Sequence, residues 1–212
     1  MSGIYDITPF SALDYPDNLS AIVWFNGCNI RCRYCHNLEI VEVSSSIKED
    51  EVLEFLKHRK TLLDGVVLSG GEATLYKNLK SFCKKIKMLG FKIKLDTNGT
   101  NPTVLMELLD SGLLDFVAVD FKALDEKYTY ITQSKNYYKE NIASVKIAIS
   151  SSIEYQIRST YHSELTSPDE LKKIEELILS FGAKRESIIF QKYKKPNKYE
   201  NELEASLEYE IM

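Results

Sequence analysis

The feature that most restricts the fold of this chain is a repeated change of period. Six short runs read as β-strands, at residues 21–26, 66–68, 91–96, 116–120, 154–162 and 188–191. Phe91-Lys92-Ile93-Lys94-Leu95-Asp96 alternates strictly, as a half-buried strand does. Between the runs, apolar residues recur at helical spacing: Val52, Phe55 and Leu56, then Leu79, Phe82, Cys83 and Ile86, then Leu105, Leu108 and Leu109. A helix is also expected over residues 137–150, and another from Ser167-Pro168 to Gly182. Ser46 with Glu49, and Ser167 with Glu170, have capping-box spacing, and Asn101-Pro102 pairs an N-cap with a proline at the first helical position. The helix over residues 75–89 should stop at Gly90 and the next one at Gly112.

Strands that alternate with helices imply parallel strands joined by right-handed crossovers. Six such units are too few for a closed eight-stranded barrel. A doubly wound open sheet and an incomplete (β/α)6 barrel both satisfy the pattern, and both place chemistry at the C-terminal ends of the strands. Residues 1–20, with the turn signals Thr8-Pro9 and Tyr15-Pro16-Asp17-Asn18, read as an N-terminal arm or short hairpin. Residues 21–193 form the core, and residues 194–212 a charged tail of the same domain that ends in an acidic stretch.

The strand ends favour a hollow interior. Side chains alternate faces along a strand. Lys92, Lys94 and Asp96 share one face of the third run, opposite Phe91, Ile93 and Leu95. Asp120 and then Lys122 lie opposite Val117, Val119 and Phe121. Gln156, Arg158, Thr160 and His162 share a face of the fifth run, Gln191 ends the sixth, Ser69 the second and Asn26 the first. Parallel strands buried on both faces read as continuous apolar runs. A polar inner face at the top of each strand points instead to a bound ligand, and hence to the incomplete (β/α)6 barrel.

A formal net charge of −4 gives no support to a nucleic-acid or anionic-membrane partner. No apolar run approaches the roughly 20 residues that span a bilayer. The first residues lack the basic and apolar regions of a signal peptide, so a cytoplasmic protein is expected. In that reducing compartment clustered cysteines indicate metal binding or catalysis, not disulfides.

Three of the four cysteines, Cys28, Cys32 and Cys35, lie within eight residues, just past the first strand. Structural zinc takes four ligands, commonly in two pairs. The fourth cysteine, Cys83, falls on the apolar stripe of a helix and reads as core. His36 adjoins Cys35, an awkward position for a fourth ligand to the same ion. Three thiolates suit a [4Fe–4S] cluster with one iron left open to another ligand.

This C-x3-C-x2-C spacing, with the aromatic Tyr34 before the last cysteine, resembles the radical S-adenosylmethionine (SAM) superfamily. Ser69-Gly70-Gly71-Glu72 is similar to that family's GGE segment, which implies a main-chain and carboxylate site for the amino group of SAM. Leu95-Asp96-Thr97-Asn98-Gly99, Asp120-Phe121-Lys122 and Tyr34-Cys35-His36-Asn37 resemble segments of glycyl-radical-enzyme activating proteins. Thr8-Pro9-Phe10 through Tyr15-Pro16 resembles the start of the anaerobic ribonucleoside-triphosphate reductase branch. The resemblance runs from about Thr8 to Gln191.

It implies that Cys28, Cys32 and Cys35 each hold one iron, and that SAM occupies the fourth. It implies SAM contacts at Tyr34, Asn37, Ser69, Gly70, Gly71, Glu72, Thr97, Asn98, Asp120 and Lys122, and at Arg158 by strand position. Asp96, Thr97 and Asp120 would hold a monovalent cation. A reduced flavodoxin or ferredoxin would supply the electron, and a 5′-deoxyadenosyl radical would act on a glycyl-radical enzyme resembling the large subunit of an anaerobic ribonucleotide reductase. His162 is an acid–base candidate, with a structural or substrate-orienting role as the alternative. No second cysteine cluster is present, so no auxiliary iron–sulfur site is implied. Two rival readings are a small-molecule radical SAM enzyme similar to 7-carboxy-7-deazaguanine synthase, and a non-catalytic zinc or iron–sulfur module.

Overall fold

The computed structural model describes residues 2–43 and 47–194. Among these residues seven strands form one sheet: β1 (Ile4–Ser11), β2 (Ser20–Phe25), β3 (Gly65–Gly70), β4 (Lys92–Thr97), β5 (Phe116–Asp120), β6 (Glu154–Tyr161) and β7 (Ile188–Lys192). They neighbour one another in chain order, with β2 to β7 parallel and β1 antiparallel to β2. A doubly wound sheet reverses its strand order at a switch point. This sheet never reverses, and crossovers of one hand then place every helix on the same side. The result is an incomplete barrel whose edges are β1 and β7.

Among the described residues seven helices fill the crossovers: α1 (Leu38–Glu42), α2 (Glu49–Arg59), α3 (Leu79–Met88), α4 (Pro102–Asp110), α5 (Asp125–Thr132), α6 (Tyr138–Ser150) and α7 (Pro168–Ser180). Their apolar stripes meet the outer faces of the strands in one main core, where Phe82, Cys83, Ile86, Ile93, Leu95, Leu105 and Leu108 are buried. Cys83 is therefore a core residue. Ser167 accepts from the Glu170 amide and Glu170 reaches back, completing the expected capping box. Pro102 occupies the first turn of α4, but the Asn101 side chain does not cap it; its amide donates to Thr74 Oγ1 at 2.9 Å.

Several local expectations change. Residues 4–11, read as part of an N-terminal arm or short hairpin, form the edge strand β1. Helix α2 starts at Glu49 with Lys48 as N-cap, so Glu49 is not the third helical residue of a box. Its carboxylate instead accepts from Tyr76 Oη and Lys85 Nζ. Ser46, the other half of that box, lies outside the described residues, as does the tail beyond Lys194. The helix expected over residues 75–89 begins at Leu79, after a 3-10 turn at Ala73–Leu75. Ahead of the helix expected over residues 137–150 stands α5, for which no helix was expected; Tyr128, Ile131 and Thr132 bury one side of it.

Candidate active site

The parallel strands deliver their inner-face side chains to one cavity of about 350 Å³ at their C-terminal ends. Cys28, Cys32 and Cys35 line it, with Tyr34, Asn37, Ser69, Gly70, Gly71, Asp96, Thr97, Asn98, Asp120, Lys122 and Arg158. Fourteen of the fifteen expected site residues therefore share one cavity wall, although they come from five connections and strands. Glu72 is the exception.

The cysteine loop is held from two sides. The Arg31 and Arg33 amides donate to the carbonyls of Thr132 and Ile131 at the end of α5. The Tyr34 ring is buried against Ala123, Ile131 and Cys32, and its hydroxyl donates to the Lys122 carbonyl at 3.1 Å. All four cysteines are free thiols. Burial, with Cys28 and Cys35 adding to it, pushes the Cys32 thiol up to about 11 against the opposing charge of Lys122. Loading a metal here must therefore release protons. Among the described residues, no three Cys, His, Asp or Glu side chains converge closely enough to hold a single ion. Three sulfur donors spread along one cavity wall fit a multi-iron unit in which each thiolate takes its own iron.

Gly70 and Gly71 are required by packing. Gly70 has φ +123°, and a Cβ there would strike the Phe25 main chain; a Cβ at Gly71 would strike the Gly27 carbonyl. The two backbones approach this closely because the Gly71 amide donates to Phe25 O at 2.8 Å and the Glu72 amide to Gly27 O at 2.9 Å. The Asn37 side chain reaches Gly70 O at 3.4 Å, tying the cysteine loop to the same turn.

Glu72 does not line the cavity. It is 1% exposed, and its carboxylate accepts from the Thr74 amide and hydroxyl, the Thr97 hydroxyl and the Asn98 amide. Burial raises its pKa while those donors favour the charged form. Its carboxylate clamps the end of β3 to the end of β4. The hydroxyl of Thr97 is thereby committed to the protein.

The charged floor is a chain of ion pairs. Arg158 Nε meets Asp120 Oδ1 at 2.9 Å and Nη1 meets Asp96 Oδ2 at 3.2 Å; Lys122 meets Asp120 at 3.0 Å and Lys94 meets Asp96 at 2.6 Å. Ser69 Oγ also lies 3.3 Å from Asp96. The register explains the bridge. Asp120 pairs with Arg158 across β5 and β6, while Asp96 pairs with Ala118 across β4 and β5, and the small Ala118 leaves Arg158 room to reach across. Burial works against ionising Asp120, but Arg158 and Lys122 outweigh it and hold the carboxyl down at about 2. Burial likewise disfavours the Lys122 and Arg158 cations, and the carboxylates raise both pKa values regardless. The two carboxylates expected to hold a monovalent cation are thus bridged by a guanidinium of the chain itself.

Other residues were placed only by the fold. Lys94 is 2% exposed, whereas Lys92 at the strand's foot is exposed and donates to Asn18. Asn141, on the inner side of α6, donates to the carbonyls of Asn98 and Asp120, both at 2.9 Å. An asparagine on an apolar helix face was the only sequence signal for it. His162 does not line the cavity; its Nδ1 accepts from the Glu164 amide at 3.2 Å and its ring packs 5.3 Å from Tyr193.

A single-wound partial barrel with three thiols and an ion-paired cavity at its strand ends defines a class of enzyme. The chain belongs to the Radical SAM superfamily, whose signature matches residues 22–178. Members of this superfamily hold a [4Fe–4S] cluster and bind SAM. The chain is 40% identical over 133 residues to a protein of Methanocaldococcus jannaschii provisionally named a glycyl-radical enzyme activating enzyme, an alignment covering 60% of this chain and 52% of that one. It is 32% identical over 142 residues to the pyruvate formate-lyase-activating enzyme of Clostridium pasteurianum, covering 62% and 58%. The chain thus spans little more than half the length of these relatives. The structure of anSMEcpe with bound AdoMet superposes with a TM-score of 0.61 at 20% identity, over 80% of this chain and 50% of that one, and shares the fold. Among the described residues, no helix is long and apolar enough to cross a membrane.

Proposed function

We propose that this chain works as a glycyl-radical-enzyme activating enzyme. Its protein substrate is an anaerobic ribonucleotide reductase-type partner, and reduced flavodoxin or ferredoxin is its electron source. The observation that carries the reading is the shared cavity: three thiols face a floor of two cations, Lys122 and Arg158, and two anions, Asp96 and Asp120, with the buried Lys94 pairing with Asp96 from behind. Cations and anions side by side suit a ligand that brings both an ammonium and a carboxylate. The named relatives and the segments around Asn37, Asp96 and Asp120 support the activase branch. Among the described residues the sheet ends at β1 and β7 without closing, which suits a substrate that is a loop of a macromolecule.

In this reading Cys28, Cys32 and Cys35 hold the cluster. When bound, the cluster supplies the one-electron reduction that cleaves SAM to methionine and a 5′-deoxyadenosyl radical. Ser69, Gly70 and Gly71, with Asn37, form a main-chain and amide cradle for the ammonium of SAM. Lys122 and Arg158 face its carboxylate, and Tyr34 holds the cysteine loop against the connection that carries Lys122. The ion pairs pre-set the floor's charges, so little reorganisation is needed when substrate arrives.

Anaerobic reconstitution tests this reading. Wild-type protein should take up about four iron and four sulfide per chain and release 5′-deoxyadenosine when reduced with SAM present. Cys32→Ala should lose both the brown absorbance and SAM cleavage; full activity in that variant would end the proposal. Mixed with a candidate partner, the wild type should generate a glycyl radical seen by electron paramagnetic resonance (EPR). SAM cleavage with no radical on any candidate partner would move the assignment to a small-molecule substrate.

A further inference from the structure

The resemblance counts Asn98 among the cofactor contacts, and four protein groups also hold its side chain. Nδ2 lies 3.6 Å from Cys28 Sγ and 3.0 Å from Asn29 Oδ1. Oδ1 accepts from the Thr100 amide at 3.0 Å and the Thr100 hydroxyl at 2.7 Å. The Thr100 amide settles which end is which. A main-chain N–H can only donate, so the atom facing it is the carbonyl oxygen, and the NH2 end must face the sulfur.

The residue cannot turn away. It is 4% exposed; its amide donates to Glu72 Oε2 at 2.6 Å and its carbonyl accepts from Asn141 at 2.9 Å. Gly99, next in the chain, has φ +74° and leaves no room for a Cβ beside Asn141. Asn29 completes the ring by donating to Thr100 Oγ1 at 2.8 Å. The four residues Asp96-Thr97-Asn98-Gly99 therefore hold an ion pair, the Glu72 clamp, a donor aimed at a thiol, and the turn that makes this possible.

A hydrogen bond to a cluster sulfur favours the state with more negative charge there, which is the reduced state. In a buried site the bond is stronger than in water. We propose that the Asn98 side-chain amide donates to the Cys28 thiolate of the bound cluster and raises its one-electron reduction potential, with Glu72 acting as a positioning residue through the Asn98 main chain. The inference rests on the reading that Cys28 is a cluster ligand. The redox step is one electron leaving a low-potential flavin or iron–sulfur donor and entering the cluster; it breaks no bond and needs no proton.

The test is an EPR-monitored redox titration of the reconstituted cluster, without SAM, in wild type, Asn98→Ala, Asn98→Asp and Thr100→Val. Asn98→Ala should lower the reduced-to-oxidised ratio at fixed donor potential about tenfold, which is about 59 mV for one electron. Asn98→Asp should lower it further, because a carboxylate cannot donate and adds negative charge. Thr100→Val loosens the same ring but keeps both the amide donor and the Thr100 N–H that orients it, so it should stay near wild type. A merely structural role would instead shift Thr100→Val as far as Asn98→Ala, and that result overturns the proposal, as do equal potentials in wild type and both Asn98 variants. If a variant loads too little cluster to titrate, wild-type protein with asparagine labelled by 15N at the side-chain amide decides. Pulsed EPR should detect coupling of that nitrogen to the reduced cluster, and its absence overturns the proposal. Failure of the wild type to assemble a cluster would instead count against Cys28 as a ligand.

Discussion

The two halves of the barrel interior are lined by the same strands and are built in opposite ways. At the base, Ile22, Val67, Phe116 and Ala118 close on Tyr15, which enters from the β1–β2 connection. Tyr15 and Phe116 meet edge to face at 5.9 Å, and a Cβ at Gly65 would lie 2.8 Å from the Tyr15 ring. At the top, two residues further along each strand, the inner positions are Ser69, Asp96, Asp120 and Arg158. Lys94 marks the border: its ammonium pairs with Asp96 above and lies 5.7 Å from the Phe116 ring beside it. The base gains stability by removing apolar surface from water. The top carries charges whose desolvation offsets much of their attraction, so its ion pairs are weak evidence of a stabilising role. Their value lies in presenting fixed charge to a ligand.

Changes in the two halves should therefore separate stability from binding. Phe116→Ala opens a cavity in the base and should cost about 3–5 kcal/mol, read from urea unfolding of the cluster-free chain. Any folded fraction should keep its affinity for SAM once reconstituted. A loss of SAM binding with unchanged stability would break the distinction.

Arg158→Met strips both carboxylates of their shared partner. Removing one partner of a buried pair costs about 3–5 kcal/mol; Arg158 keeps 15% of its side chain exposed, which places the effect near the lower end. SAM binding should fall sharply in the same variant, whereas Phe116→Ala leaves it intact. The pH dependence follows from the same contact. The Asp120 carboxyl sits at about 2 in the folded chain, below the ordinary value of about 3.9. Its contribution is complete above about 4 and is lost as pH falls through about 2. Carboxylate NMR should show the Asp120 transition moving to higher pH in Arg158→Met, and Asp120→Asn should unfold with a shallower loss of stability over that window. The smallest effect is expected at Tyr34→Phe. It deletes one hydrogen bond to the Lys122 carbonyl while leaving the ring packed, for about 1 kcal/mol, seen as a slightly lower melting temperature with cluster loading intact.

Much of this architecture was legible in the residues. The alternation of Lys92 to Asp96 places three side chains on one face, and the structure keeps Lys94 and Asp96 inside. The stripe of Leu79, Phe82, Cys83 and Ile86 is buried as its spacing requires. Shorter or weaker signals failed. Helix α5 has no clean apolar period, and β1 is an edge strand whose burial is irregular, so neither stood out from turn-rich sequence. The burial of Glu72 was not legible in Ser69-Gly70-Gly71-Glu72, because the four donors that hold its carboxylate come from two separate loops.

The sequence by itself determined the six parallel strands and the longer amphipathic helices, the inward face of each of those strands, and three thiols on one loop, because periodicity and spacing are local properties. Only the tertiary structure decided that Arg158 joins Asp96 to Asp120, that Glu72 braces the loop after β4, and that Asn98 is aimed at Cys28. Those contacts bridge 62, 26 and 70 residues along the chain. They depend on the register between strands and on small residues such as Ala118 and Gly99 that leave room, and neither is encoded in the period of any one segment.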